Sequence, residues 1–272
     1  MSRLIIASNR LPVTIEKVAG ESPKIHPSSG GLVAGLNGLH DENDTLWVGH
    51  GGLYKTDPDF DAAAKELEQH RLHPVALKKR LYTNYYNGMS NGVIWPLFHY
   101  MPVAAKMNEG DWEAYQKVNR VFADKLLSMV RPGDRVWVHD YQLMLLPAML
   151  RSAMPDLDIA YFLHIPFPSS EVFRILSGRT QILEGLLGAD YIGFHTYDYA
   201  RHFLSAVARL IGSDIQFDEL HHGGRIVKVA AHPLGVDYQA IQEKGDSDAG
   251  KEALNALEER TAGRFVFVGI DR

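Results

Sequence analysis

The sequence predicts an α/β protein built on a mostly parallel sheet. Two observations carry this. Short runs of consecutive apolar residues, 4–7, 159–163 and 191–194, have the pattern of strands covered on both faces. Between residues 135 and 211 strand and helix patterns then alternate without a break, as successive βαβ units require. With 46% hydrophobic residues in 272, the chain can bury a full core.

The first strand, 4–7, ends in Ser8-Asn9-Arg10. A polar, Pro-containing loop follows over 16–29, and Gly30-Gly31 then opens an apolar, helical-looking stretch. Residues 46–49 read as the next strand, leading into the loop Gly49-His50-Gly51-Gly52. Residues 57–70 have helical composition, with Thr56 as cap and Pro58 in the first turn, where its missing N–H costs nothing. Short strands are expected at 75–77 and 93–95, around a segment rich in Tyr and Asn. The longest amphipathic pattern spans 111–130, its apolar stripe running from Trp112 to Met129 before Pro132-Gly133 ends it. The alternating part reads as strand 135–138, helix 143–152, strand 159–163, helix 171–187, strand 191–194 and helix 199–211. A hairpin-like return of 215–217 against 226–230 follows across His221-His222-Gly223-Gly224, then a charged helix at 250–259 and a strand at 265–269. That last strand, with no helix after it, is expected to be the first strand of a second domain. The expected division is therefore 1–245 and 246–272.

The formal charge of −5, with no basic cluster, argues against a nucleic-acid or acidic-membrane surface. No apolar run approaches the roughly 20 residues that span a bilayer, and the opening run is too short and too soon interrupted for a signal peptide. Without cysteine there is no disulfide framework and no thiolate metal site. A cytoplasmic enzyme domain is the expectation.

In open α/β sheets, ligands bind outside the carboxyl ends of the strands. Two strands end there in polar side chains, His139 with Asp140 on one and His164 on the next, the latter running into Ile165-Pro166-Phe167-Pro168. Such residues also close turns and cap helices, but two tips of one kind point to a site. Arg10 can present a guanidinium fork to a phosphate or carboxylate at the same edge, or pair with a local acid. Gly30-Gly31 before a helix offers backbone N–H groups to an anion, although glycine turns are common. A dinucleotide fingerprint would need glycine where Tyr54 stands. Asp57, Asp59 and Asp61 resemble a metal-holding triplet, but at a helix start they serve the helix dipole more simply. The mixture Tyr85-Tyr86-Asn87-Gly88 with Trp95-Pro96-Leu97-Phe98-His99-Tyr100 suits a carbohydrate pocket, aromatic faces packing on sugar rings while amides bind hydroxyls; it suits a core equally. His221-His222 falls in an expected turn and is not read as a metal site.

Taken together, Ser8-Asn9-Arg10, Ser29-Gly30-Gly31-Leu32, Tyr85-Tyr86-Asn87, Trp95 to Tyr100, Val138-His139-Asp140-Tyr141 and Leu163 to Pro168 resemble the trehalose-6-phosphate synthase family. These are retaining glycosyltransferases of the two-domain GT-B fold. The resemblance runs in order along the chain to Val268-Gly269-Ile270-Asp271-Arg272 and implies a Rossmann-like N-terminal domain of that fold, with the start of the C-terminal domain at the end. It implies transfer of glucose from UDP-glucose to glucose 6-phosphate with retention, in trehalose biosynthesis. By motif position, Arg10, Tyr86 and Asp140 would bind the acceptor, and Trp95 and Ile165 would select its anomer. Gly30, Gly31, His164 and Arg272 would bind the donor; Asp140, His164 and Arg272 form the catalytic set. No metal or cofactor is implied. A homo-oligomer is compatible with the resemblance.

The resemblance has departures. The family's Leu-Asp-Tyr-x-Lys-Gly segment, whose lysine also binds the diphosphate, would follow Arg272, so little synthase activity is expected of these residues alone. His50 stands where some relatives carry tryptophan. The alternatives are a related synthase with another acceptor such as glycerol 3-phosphate, and a non-catalytic sugar-phosphate-binding or assembly domain.

Overall fold

The structure, a computed structural model, describes residues 2–16, 24–28, 36, 44–105 and 108–269. Contacts divide the chain into two units, Met1–Pro233 and Leu234–Arg272. The larger is organised by a nine-stranded sheet of order β5-β4-β1-β6-β7-β8-β11-β10-β9. Its strands are β1 Leu4–Arg10, β4 Leu46–His50, β5 Leu72–Pro74, β6 Arg135–His139, β7 Asp158–Leu163, β8 Tyr191–Phe194, β9 Asp214–Gln216, β10 Glu219–His222 and β11 Arg225–Ala231. A separate antiparallel pair joins β2 Val13–Glu16 to β3 Lys24–Pro27. All pairings from β5 across to β11 are parallel, and β10 and β9 add an antiparallel edge.

Strand order reverses at β1, which lies between β4 and β6. Such a switch point opens a crevice between the loops leaving the two central strands. Here those loops begin at Arg10 and Asp140.

The period-2 pattern divides the side chains between two cores. Ile5, Ala7, Val136, Val138, Ile159, Tyr161, Leu163, Ile192 and Phe194 face one core, and Ile6 and Trp47 face the other, with Leu36, Leu67 and Leu72. Helix α1 Phe60–Gln69 lies against the second core through Leu67, and the helices of the first core are α2 Lys79–Thr83, α3 Trp95–Phe98, α4 Glu109–Leu127, α5 Leu146–Ala153, α6 Ser170–Phe173, α7 Arg179–Leu186 and α8 Tyr197–Leu210. Tyr115, Val118, Phe122 and Leu126 of α4 form the buried stripe expected from the sequence. At the amino edge, Asp134 accepts bonds from the Arg3 backbone N–H, Arg3 Nε and Nη2 and the Arg131 N–H, fastening the turn before β6 to the start of β1.

Several elements differ from the sequence reading, each for a local reason. Residues 84–94 form a π-helix that absorbs the strand expected at 93–95. Its buried residues are Tyr85, Met89, Ser90, Val93 and Ile94. The helix expected at 171–187 is two, α6 and α7, parted by residues 174–178; a Cβ on Gly178, the N-cap of α7, would stand 2.5 Å from the Trp112 ring. The helix after β6 begins only at Leu146, behind a 3₁₀ turn at Tyr141–Leu143. Helix α1 starts at Phe60, not 57, because Asp57 turns its carboxylate back to the Tyr54 N–H at 2.9 Å; Thr56 does not cap it. The strand expected at 75–77 lies at Leu72–Pro74. Gly49 and His50 belong to β4 and not to a loop, and His221-His222 lies in β10, the turn being Gly223-Gly224 with φ of 56° and 75°.

The smaller unit holds α9 Tyr238–Asp246 and α10 Asp248–Thr261, each opened by a side-chain cap, Asp237 to the Ala240 N–H and Ser247 to the Gly250 N–H. The expected strand 265–269 is not formed. A strand needs a ladder, and no described residue pairs with this run, whose Phe265 and Phe267 are 92% and 89% exposed. Among the described residues no helix is long and apolar enough to cross a membrane.

Candidate functional site

At the tip of β1, Ser8 Oγ donates to the Arg10 carbonyl at 2.7 Å and accepts the Trp47 indole N–H at 2.7 Å. This pins the turn that aims Arg10. Gly49 lets β4 approach it, since a Cβ there would lie 2.8 Å from the Arg10 carbonyl carbon. The guanidinium is held by rings. Arg10 Nε donates to the Tyr82 hydroxyl at 3.4 Å, Asn9 Nδ2 donates to the same oxygen, and Arg10 Cζ sits 5.2 Å from the Tyr86 ring centroid. Tyr82 stacks between Tyr86 and His50, at 5.3 and 4.3 Å. His50 is held neutral by burial and by Arg10, its imidazolium pKa pushed down to about 4, and its Nδ1 accepts the Gly52 N–H. Among the described residues Arg10 has no carboxylate partner.

Across the switch point, Asp140 has φ 73° and ψ 170°, a region essentially reserved for glycine that costs about 1–3 kcal/mol. Surrounding bonds hold it there. Its N–H donates to the Phe162 carbonyl at 2.8 Å, and its carboxylate accepts the His164 N–H at 3.2 Å. The turn beyond is braced from below, with Tyr115 Oη donating to the Tyr141 carbonyl and accepting the Met144 N–H, and Asn119 Nδ2 donating to the Gln142 carbonyl. Tyr141 Oη in turn donates to Asn91 Oδ1 on the π-helix at 2.8 Å. Burial raises the Asp140 carboxyl to about 7 against the pull of the backbone N–H bonds. A carboxyl poised there can accept or donate a bond to a sugar hydroxyl.

His139, His164 and His195 end three neighbouring strands. His139 Nδ1 and His164 Nε2 are 3.0 Å apart, and Phe162 packs against both His164 and His195. Burial lowers the pKa of all three, so they are neutral near pH 7. Among the described residues no three His, Asp or Glu side chains form a group that could hold a metal ion.

The structure therefore joins Arg10 to Tyr86, and Asp140 to His164, on adjacent central strands. Trp95 follows the π-helix and stacks on His99 at 4.1 Å, 38% exposed; Ile165 is half-buried against the larger core beside His164. Gly30, Gly31 and Arg272 lie outside the described residues. Tyr82 was not singled out from the sequence. Its signal was available: Tyr82 and Tyr86 are four residues apart, one helical turn, so a ring that meets Arg10 brings the other with it.

A parallel sheet with its polar cluster at the switch point is the N-terminal architecture of GT-B glycosyltransferases, and solved proteins of that fold overlay it. A structure described as trehalose-6-phosphate from E. coli bound with UDP-2-fluoro glucose matches with TM-score 0.76 at 27% identity, over 96% of this chain and 55% of that one. The N-terminal domain of Candida albicans trehalose-6-phosphate phosphatase matches with TM-score 0.83 at 33% identity, over 97% of this chain and 55% of that one. The model of glycosyltransferase family 20 matches residues 2–272, and the chain belongs to that family. UDP-forming α,α-trehalose-phosphate synthases of Yarrowia lipolytica and Emericella nidulans are 44% and 42% identical over the whole chain. The chain spans 60% and 55% of their lengths.

Proposed function

We propose that the protein is a UDP-forming α,α-trehalose-phosphate synthase, in which these residues bind the acceptor, glucose 6-phosphate. The observation that carries this is Arg10: a cation with no acidic partner among the described residues, held by the Tyr82 hydroxyl and the Tyr86 ring across the switch point from a carboxyl. A hexose phosphate has the complementary parts, a dianion for the guanidinium and hydroxyls for Tyr86 and Asp140. Trp95 and Ile165 would bound the acceptor pocket and choose the anomer. His164, with Gly30, Gly31 and Arg272, would meet UDP-glucose. Cleavage of the donor leaves charge on the diphosphate, and fixed N–H groups and Arg272 that hold it more strongly as it grows lower the barrier. Asp140 serves as an acceptor-binding group, with retention arising from same-face attack. The reading includes a cytoplasmic location, a homo-oligomer as an open possibility, and a domain boundary near residue 245.

Calorimetric titration with glucose 6-phosphate, glucose and glycerol 3-phosphate tests it. Glucose 6-phosphate should bind best, and Arg10→Ala should abolish that binding. Preference for glycerol 3-phosphate would move the protein to a related synthase, and no binding of any phosphate would overturn the reading. The likeness to a phosphatase's N-terminal domain favours a second reading, a sugar-phosphate-binding domain without transfer. Glucose 6-phosphate binding without UDP-glucose binding would select it.

A further inference from the structure

The sequence motifs draw attention to Asp140 and His164 and leave His139 without a task. The sheet gives it one. On neighbouring parallel strands His139 lies opposite Phe162, so His164, two residues on, projects from the same face as the next side chain along. The two imidazoles meet at 3.0 Å through His139 Nδ1 and His164 Nε2. Both rings are held: Trp137 packs on His139 at 4.5 Å and Phe162 on His164 at 4.7 Å, while the Asp140 carboxylate accepts the His164 backbone N–H.

Two neutral imidazoles sharing one hydrogen bond have two proton arrangements. If His139 donates from Nδ1, its Nε2 carries a bare lone pair, and His164 must bear its proton on Nδ1. If His164 donates instead, His139 must carry its proton on Nε2. That atom is fully buried and has no hydrogen-bond partner among the described residues. Orphaned buried N–H groups are rarer than under-used acceptors, so the second arrangement is the costlier one.

We infer that His139 is a positioning residue: it donates Nδ1–H to His164 Nε2 and so locks His164 as the Nδ1–H tautomer, whose outward nitrogen is a hydrogen-bond donor. No described residue engages that nitrogen. A donor there suits a sugar hydroxyl or a developing oxyanion and rejects a group that can only donate. The inference rests on the proposed function for its ligand, but not for its test. Burial keeps His139 and His164 uncharged, which leaves the proton's position as the only freedom in the pair.

Long-range ¹H–¹⁵N correlation spectra of histidine-labelled protein read the tautomer directly, with His164→Gln assigning the resonances. His164 should show a protonated Nδ1 and a bare Nε2. His139→Asn places an amide N–H near the lost Nδ1–H and should preserve that state; His139→Leu removes the donor and should let His164 revert toward the Nε2–H form. A wild-type His164 protonated at Nε2 overturns the inference, as does an unchanged tautomer in His139→Leu. Should the leucine variant fail to fold, the wild-type and asparagine spectra still decide. An Nδ1–H tautomer in a protein that binds no glucose 6-phosphate or UDP-glucose would sink the proposed function and leave this inference standing.

Discussion

Replacing Asp140 by asparagine should make the protein more stable at neutral pH and no more stable in acid. The wild-type carboxyl titrates at about 7 in the fold, against 3.8 ordinarily, because burial disfavours its charge. A carboxyl raised on folding binds more protons in the native than in the unfolded state between those two values. Stability from this group is therefore full below pH 4, falls as pH rises to 7, and is flat beyond. Three pH units at about 1.4 kcal/mol each give about 4 kcal/mol, and water at the sheet edge reduces that to about 2–4 kcal/mol. Asparagine carries no charge, keeps an oxygen for the His164 backbone N–H, and meets the same backbone strain as the aspartate it replaces. Urea unfolding at about pH 3.5 and 7.5 should give nearly equal stabilities in acid and a gain of about 2–4 kcal/mol for Asp140→Asn at the higher pH. The depressed histidines His50, His139, His164 and His195 titrate alike in both proteins and cancel in the difference. Two stability profiles that run parallel across this range would refute the reasoning. Under the proposed function the more stable variant binds glucose 6-phosphate less well.

Tyr82→Phe keeps the stack with His50 and Tyr86 but removes the oxygen that receives Asn9 and Arg10. It should weaken glucose 6-phosphate binding about 5-fold and cost about 1 kcal/mol of stability, as calorimetry and urea unfolding would show. Asp134→Ala leaves Arg3 and two backbone N–H groups without their acceptor, in a site where the Asp134 side chain is 3% exposed. A loss of about 3–5 kcal/mol in chemical denaturation is expected. Burial alone would raise the Asp134 carboxyl, but the Arg3 and Arg131 bonds bring it below its ordinary value, so its contribution is present above pH 4 and fades as the pH falls.

The central sheet was legible because its signal is local: an apolar run of four to six residues, followed by a polar tip, is a buried parallel strand wherever helices flank it. Arg10, Asp140 and His164 were legible for the same reason, being the residues just past those runs. What escaped depended on neighbours distant in sequence. Gly178 opens the second of two helices where Trp112, from α4, occupies the space a side chain would need. The positive φ of Asp140 is invisible in an Asp codon, and it is held by Phe162 and His164 on another strand. The apolar run at 265–269 satisfies every local rule for a strand, yet pairing is a property of two segments. Gly30, Gly31 and Arg272 lie where only the sequence speaks.

The π-helix at Asn84–Ile94 constrains the length of the chain. Tyr86 reaches Arg10 near its start, Asn91 receives Tyr141 near its end, and Trp95 begins the helix that follows. A helix cannot absorb an inserted or deleted residue as a loop can, because each step turns everything downstream by about 100° in an α-helix and somewhat less in the wider π form. One codon lost here would swing Asn91 and Trp95 to a different side while leaving Tyr86 over Arg10. Substitutions in this segment act on one contact at a time; a change in length uncouples the two walls of the crevice at once.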